Sequence, residues 1–396
     1  MIALCVVSCR LDGFAFEDII RCNVVIPSAS NPGFHSKMKM RIWLRRFAHA
    51  LYPKIRIFVP KSVRNLVYAL LYQPHKRKDV VIDVVGFCNL SCPSCPVGNM
   101  EAKNPKDLID LELFEKIMKK LSQDYEVYSL SLFNWAEPNL HPKLPELVKI
   151  VKKYKLPCGL SSNLNLLRRV DDIFLAEPDF FRVSVSGFTQ PVYGITHKRG
   201  NIETVKKNMK ILSEAVKRTG SKVHLEAYYH KYTHNLHEIA LMKEYALGLG
   251  YHWQEDWAYY MPLEKTLDLV DGKLSSEESK FVEQMFALPI SKAIDVARDF
   301  KDEPCRLYTD QIALDLQGNM LTCCAVYDFD KNRLGNFLEM TPQQIEHAKD
   351  GNQSCAKCQK HGLHAYFGFQ THPRLKPLYE ELAVQNLDDM EKRKTG

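Results

Sequence analysis

The chain has 396 residues, 45% of them hydrophobic, and sets 54 Lys and Arg against 47 Asp and Glu for a formal charge of +7. That length holds one large domain with an appendage, or two domains, and the composition is that of a soluble globular protein. No apolar run approaches a membrane span, and the apolar start Met1–Cys9 is short and lacks a basic leader, so we expect a cytoplasmic protein without a secretory signal. In that setting twelve cysteines, several at C-x-x-C spacing, point to metal rather than to disulfides.

Residues 1–37 show no clear period and carry Pro27 and Pro32. They read as a poorly ordered leader, or as translation upstream of a true start at Met38 or Met40. Residues 38–77 set Ile42, Leu44, Phe47 and Leu51 against Arg41, Arg45 and Arg46, a basic amphipathic helix interrupted at Pro53 and Pro60. From Lys37 to Lys78 there are twelve basic residues and no acidic one, which leaves the rest of the chain net acidic. The stretch 38–72 fits peripheral contact with an anionic membrane or an acidic partner, or a solvated helix packed at the closed end of the following domain. No RNA-binding motif accompanies it, so nucleic acid is not an expected partner.

From residue 78 to 272 strands and helices alternate. The β-branched run Val80–Val85 predicts a buried strand, and further strands are predicted near 127–133, 157–161, 181–186, 222–229 and 251–256. Between them Leu111, Phe114, Ile117, Met118 and Leu121 share one helical face. So do Leu144, Leu147, Val148 and Val151, then Ile202, Val205, Met209, Leu212 and Val216, then Leu236, Ile239, Met242, Tyr245 and Leu249. Repeated strand-then-helix steps argue for a parallel α/β sheet with helices outside, and such a sheet places ligand chemistry on the loops after the strands. Residues 273–300 read as a charged helical bridge, 301–372 as short strands among five cysteines, and 373–396 as a charged helical tail that frays.

The first strand runs into Gly86-Phe-Cys-Asn-Leu-Ser-Cys-Pro-Ser-Cys-Pro96, a C-x3-C-x2-C triplet of Cys88, Cys92 and Cys95. Three thiolates on one loop can hold three irons of a [4Fe–4S] cube and leave the fourth iron open. A zinc knuckle or structural thiols are the alternative, but zinc usually takes four ligands in paired groups. The triplet, in this place, resembles the radical S-adenosylmethionine (SAM) superfamily. The resemblance implies a partial (β/α)6 barrel over about residues 78–260, a SAM molecule on the open iron, and an electron donor of flavodoxin or ferredoxin type.

Other pieces resemble the family in chain order. Asn134-Trp-Ala-Glu-Pro138 stands where the family has a Gly-Gly-Glu-Pro turn, with Trp135 and Ala136 replacing the glycines. Leu160-Ser-Ser-Asn163 and Val183-Ser-Val-Ser-Gly187 resemble the family's third and fourth strand ends. The resemblance implies cofactor contacts by Asn134, Glu137, Pro138, Ser162, Asn163, Ser184 and Ser186, with Lys198 or Arg199 pairing with the methionyl carboxylate. Each piece alone is also ordinary turn and capping chemistry. Ser94 departs from the aromatic usual before the last cysteine, and Phe87 or Trp253 would then cover the adenine. At the fifth and sixth strand ends Glu226, Tyr229, His230, Trp253, Glu255, Asp256 and Trp257 are expected to line the mouth. Of these, Tyr229, His230, Glu226 and Asp256 are the catalytic candidates, suited to a polar substrate.

Towards the C-terminus come Cys305, Gly318, Cys323 and then Cys355-Ala-Lys-Cys358. This resembles the SPASM or Twitch extension and implies a small C-terminal domain with an auxiliary [4Fe–4S] cluster on Cys305, Cys323, Cys355 and Cys358. Cys324 is an alternative to Cys323, His364 stands where a further cysteine is expected, and a structural zinc site satisfies the same four-thiol count. Cys5, Cys9, Cys22 and Cys158 read as spare or buried thiols. One auxiliary cluster, as the resemblance has it, leans towards oxidation or modification of a small polar or sugar-like metabolite. A peptide- or protein-modifying maturase and a non-enzymatic iron–sulfur or zinc protein are the competing readings.

Overall fold

A computed structural model of the chain describes residues 77–101 and 106–395. The leader, the basic segment and Cys5, Cys9 and Cys22 lie outside the described residues. The first six strands are β1 (Arg77–Ile82), β2 (Glu126–Ser131), β3 (Gly159–Ser162), β4 (Phe180–Val185), β5 (His224–Lys231) and β6 (His252–Trp257). They pair in parallel in the order 6-5-4-3-2-1. The expected strands are all present, and the sheet stays open as a partial barrel.

The helices α1 (Leu111–Asp124), α2 (Leu144–Lys153), α3 (Val170–Leu175), α4 (Gln190–Thr196), α5 (Ile202–Thr219) and α6 (Ile239–Gly248) run between these strands. Their starts are local: the Asp110 side chain accepts the Leu113 N–H at α1, and Asn201 accepts the Thr204 N–H at α5. Phe114, Ile117, Met118 and Leu121 of α1 are fully buried, each contributing about 1.5–3 kcal/mol through removal from water. They belong to one core with Val80, Ile82, Leu130, Leu160, Phe181, Val183, Leu225, Ala227 and Tyr229. Because side chains alternate along a strand, Asp79, Ser161, Arg182, Glu226, Tyr228, His230 and Asp256 lie on the other, concave face.

The C-terminal region extends the same sheet. Strand β7 (Gln311–Leu314) pairs in parallel with β1, with Val80 opposite Ile312, and β8 (Asn319–Leu321) and β9 (Arg333–Asn336) continue it antiparallel. The β7–β8 turn explains Gly318: its φ is +77°, and a Cβ there would stand 3.3 Å from Ile117 Cδ1. Buried Asp315 closes that turn by accepting the N–H groups of Gln317 and Asn319 at 3.0 and 2.8 Å.

A second core gathers α7 (Leu263–Val270), α8 (Ser276–Met285) and α9 (Ile290–Arg298) with later elements. These are α11 (Gln353–Lys360), α12 (Leu363–Phe367) and α13 (Leu375–Thr395), whereas α10 (Pro342–His347) packs on the first core through Ile345. Val81 and Ala313, on the concave face, join this core. The start of α13 is anchored, since Tyr379 is fully buried and its hydroxyl donates to the Ala293 carbonyl at 2.6 Å. All described residues fall within one compact unit, and none of their helices is long and apolar enough to cross a membrane.

Candidate functional site

The cysteine loop leaves the C-terminal end of β1 and is pinned from three sides. Ser91 N–H donates to the Lys198 carbonyl at 3.2 Å, Ser94 Oγ hydrogen-bonds Tyr232 Oη at 2.8 Å, and Asn99 Nδ2 donates to the Met261 carbonyl at 3.0 Å. A helical turn, Pro96–Asn99, starts directly after Cys95. Gly98 in that turn packs on the loop so tightly that a Cβ would stand 2.2 Å from the Cys92 carbonyl oxygen.

Cys88, Cys92 and Cys95 are free thiols. Burial pushes Cys88 up to about 11 and Cys95 to about 12, and burial with the approach of Cys95 and Cys88 pushes Cys92 up as well. The three thiols therefore sit in a site that resists thiolate charge unless a metal supplies the compensation. Among the described residues no group of three or more His, Cys, Asp or Glu side chains is gathered closely enough to hold one metal ion. A cluster spreads its ligands over several irons, and three free thiols on one loop fit that donor set.

Two buried carboxylates organise the neighbouring loops. Asp83, just past β1, accepts the backbone N–H groups of Asn134, Trp135 and Ala136 at 2.8, 3.1 and 3.2 Å. Burial nevertheless raises its carboxyl to about 6. Glu137 accepts the N–H of Asn139 at 3.0 Å and of Asn163 at 2.7 Å, and burial raises it to about 7. Asn163 closes the ring by donating from Nδ2 to Asn89 Oδ1 at 2.9 Å and to Cys88 Sγ at 3.6 Å.

The other family-implied contacts are dispersed. Pro138 opens a buried 3-10 turn, and Ser162 Oγ accepts from Asn139 Nδ2 and the Leu164 N–H, both at 2.8 Å. Ser184 Oγ meets Ser161 Oγ at 3.4 Å, and Ser186 Oγ donates to the Val185 carbonyl at 2.8 Å. Lys198 and Arg199 are exposed, the latter with φ +72°. Asn134 Nδ2 and Trp135 Nε1 reach away to the carbonyls of Cys324 and Val326 at 3.1 and 2.9 Å, so this loop fastens the C-terminal region to the barrel.

On the concave face Arg182 pairs with Glu226 at 2.7 Å and lies 4.4 Å from the Tyr228 ring. Tyr228 Oη donates to Asp256 at 2.8 Å and accepts from Gln370 Nε2 at 3.0 Å, while Lys376 pairs with Asp256 at 3.1 Å. His230 is beside this group, and burial lowers it to about 4, with Arg182 acting in the same direction. His197, stacked on Tyr193 at 4.4 Å, is lowered to about 3 by burial, then by His230.

Tyr229, expected at the mouth, is corrected to the helix-covered face, where it is fully buried and donates to the Asn235 carbonyl at 2.8 Å. Trp253 packs beside it at 5.6 Å and Glu255 accepts from Trp253 Nε1 at 2.6 Å, so neither lines the mouth and Trp253 does not cover an adenine there. Strand alternation is the reason: residues of β5 and β6 one position out of phase with His230 and Asp256 turn outward. Trp257 joins the second core and donates to Glu380 at 2.6 Å. Phe87 is half-buried against the first core. A cavity of 280 Å³ bounded by Ser131, Phe133, Pro157, Asp179 and Arg182 lies near the start of β3 and β4, at the strand ends opposite the cysteine loop.

Cys305, Cys323 and the pair Cys355 and Cys358 of α11 lie on three segments of the C-terminal region. Cys358 feels Cys323, Cys305 and Cys355, and Cys323 feels Cys305, all with thiols raised chiefly by burial. Cys324 is raised to about 11 chiefly by burial, receives a hydrogen bond from Gln311, and has Asp79, Lys349, Cys305 and Tyr259 near it. His364 is engaged elsewhere, on the Glu303 carbonyl at 2.9 Å. Cys158 is a buried core thiol.

Residues 82–235 match the radical SAM superfamily. They form a radical SAM domain. A curated relative, the tungsten-containing aldehyde ferredoxin oxidoreductase cofactor-modifying protein of Pyrococcus furiosus, is 29% identical over 90 residues, 23% of this chain and 25% of that one. The match thus spans about a quarter of that relative's length. The fold is shared with Streptococcus suis SuiB. The structure of SuiB bound to its precursor peptide SuiA is 13% identical, covers 87% of this chain and 80% of that one, and has a TM-score of 0.51. SuiB bound to S-adenosylmethionine is 15% identical, covers 82% of each chain, and has a TM-score of 0.50.

Several residues of the radical SAM domain escape a reading of the sequence alone. Asp83 sits inside an apolar strand run and its role appears only when the β2 loop folds over it. Tyr232 and Gly98 hold the cysteine loop, yet neither belongs to a motif. The one available signal was a charged residue interrupting Val80–Val85, a position that burial makes costly unless it is hydrogen-bonded.

Proposed function

We propose that the chain is a radical SAM enzyme in which Cys88, Cys92 and Cys95 hold a [4Fe–4S] cluster and the open iron takes S-adenosylmethionine. The carrying observation is that Cys88, Cys92 and Cys95 share one loop pinned at the end of β1. When bound, these groups supply the electron and the 5′-deoxyadenosyl radical that removes hydrogen from an unreactive C–H bond. The chain's own residues position and insulate. Asn163 donates to Cys88 Sγ, Glu137 fixes Asn163, and Asp83 fixes the loop after β2. We further propose that Cys305, Cys323, Cys355 and Cys358 hold one auxiliary iron–sulfur cluster, with an electron donor of flavodoxin or ferredoxin type.

The substrate we infer is a small polar, sugar-like molecule that is oxidised or otherwise modified. Arg182, Glu226, Tyr228, His230 and Asp256 give the concave face hydrogen-bonding groups, and a neutral His230 suits a hydroxyl. Gln370 and Lys376 reach this face from the C-terminal region, so that region covers the strands and favours a small molecule over a long chain. A peptide, such as the SuiA that SuiB binds, is the competing substrate class.

Anaerobically reconstituted protein with reductant and SAM should yield 5′-deoxyadenosine, and Cys92→Ala should not. No nucleoside above background from iron-loaded protein would overturn the enzymatic reading. A yield that rises with peptide fractions and not with small-molecule fractions would assign the competing substrate.

A further inference from the structure

Lys349, between α10 and α11, is 2% exposed. Its Nζ donates to the carbonyl oxygens of Leu307 at 2.6 Å and Gln311 at 3.0 Å. Burial lowers its ammonium, the nearby thiols of Cys323, Cys305 and Cys355 act in the other direction, and Lys78 acts with burial; Cys324 is near it as well. Lys78 is also buried, and the contrast is instructive: it donates to the Thr309 carbonyl at 2.7 Å and has the carboxylates of Glu346 and Asp310 near it.

The segments that enclose Lys349 are those that carry the cysteines. Leu307 is two residues past Cys305, and Gln311 Oε1 accepts the Cys324 N–H at 2.9 Å. The Lys349 carbonyl accepts the Asn352 N–H at 3.1 Å, and Asn352 Oδ1 in turn accepts the Cys355 N–H at 3.1 Å at the start of the helix bearing Cys355 and Cys358. A buried ammonium without an anionic partner is among the costliest arrangements in a protein. Four thiolates bound to an iron–sulfur cluster carry a net negative charge and supply that partner.

We propose that Lys349 is the built-in counter-charge of the four-cysteine centre, its ammonium held by two carbonyls and facing Cys305, Cys323 and Cys355. The inference rests on the auxiliary-cluster reading above. It makes Lys349 a positioning residue, since its charge acts on the centre without ligating it. An added electron makes the centre more negative, so a fixed cation beside it favours the reduced form and raises the midpoint potential.

The test uses the full chain with Cys88, Cys92 and Cys95 all changed to Ala, which isolates the C-terminal centre. In that parent, Lys349→Gln and Lys349→Met should both shift the midpoint, followed by electron paramagnetic resonance, to a more negative potential. Both should also lose iron to a chelator faster. The two replacements differ in shape and hydrogen bonding but remove the same charge, so a common shift identifies the charge. Unchanged midpoints in whichever variant folds and holds its cluster would overturn the inference. A parent that binds no iron–sulfur cluster would overturn the auxiliary reading itself. If that parent holds zinc instead, zinc loss to the chelator unchanged by Lys349→Gln would overturn the counter-charge as well.

Discussion

The side-chain amide of Asn163, at the end of β3, stands 3.6 Å from Cys88 Sγ, while its backbone N–H is held by Glu137 at 2.7 Å. A carboxylate on one loop therefore sets the donor that faces a cysteine on another. Removing that donor should weaken metal retention without removing a ligand. Asn163→Ala should release the irons of the three-cysteine site to a chelator about tenfold faster. Equal release rates would show that the contact does not support the site.

Asp83 carries a pH signature. Burial holds its carboxyl at about 6, above the ordinary range, despite three amide donors. A carboxyl raised in the folded state keeps its proton after the unfolded chain has released it. Its favourable contribution is full below about pH 4 and is lost as pH rises through about 6, a change on the order of 3 kcal/mol. Asp83→Asn keeps the oxygen acceptor and stays neutral throughout. The melting temperature of the wild type minus that of Asp83→Asn should fall between about pH 4 and 6 and then level off. A difference that is flat or rises across this window contradicts the assignment.

Iron counting separates the two cysteine sets. Full reconstitution should give about eight irons per chain, and the Cys88/Cys92/Cys95→Ala variant about four. In that variant Cys323→Ser should lose the remaining irons, whereas Cys324→Ser should keep them, because Cys323 and not Cys324 packs with Cys358 against the second core. Loss on changing Cys324 would reverse the ligand choice.

Gly98 tests the packing of the cysteine loop. With a Cβ placed 2.2 Å from the Cys92 carbonyl oxygen, either the turn or the loop must move. Gly98→Ala should lower iron content by about four per chain and abolish 5′-deoxyadenosine formation, leaving the C-terminal irons in place. Normal iron content would show that the loop tolerates the shift.

Tyr229 and Asp256 should separate stability from chemistry. Tyr229→Phe removes one hydrogen bond, to the Asn235 carbonyl, and should cost about 1 kcal/mol in urea unfolding with SAM cleavage unchanged. Asp256→Asn disturbs Tyr228 and Lys376 on the concave face and should lower product formation more than SAM cleavage. A large loss of cleavage in Tyr229→Phe would place that hydroxyl in the site after all.

The alternation of strands and helices was readable from residue 80 onward because hydrophobic period is local: Phe114, Ile117, Met118 and Leu121 lie on one face whatever surrounds them. The cysteine triplet was equally plain, since three ligands within eight residues need only a loop to meet. Contacts across the chain were not readable in the same way. Trp135 stands where the family has a glycine, and its ring turns to Val326 and Tyr327 of the C-terminal region. Tyr229 and His230 are adjacent in β5 and alternation sends them to opposite faces, but which face the helices cover is decided by packing. By itself the sequence determined the alternating strands and helices, the cysteine triplet and the count of C-terminal thiols. Tertiary structure alone decided which of two neighbouring side chains faces the site, and that Asp83, Asn163, Tyr232 and Lys349 surround the cysteines. The reason is physical: periodicity and ligand spacing are written along one segment, while the partners of a buried charge are fixed only when distant segments close around it.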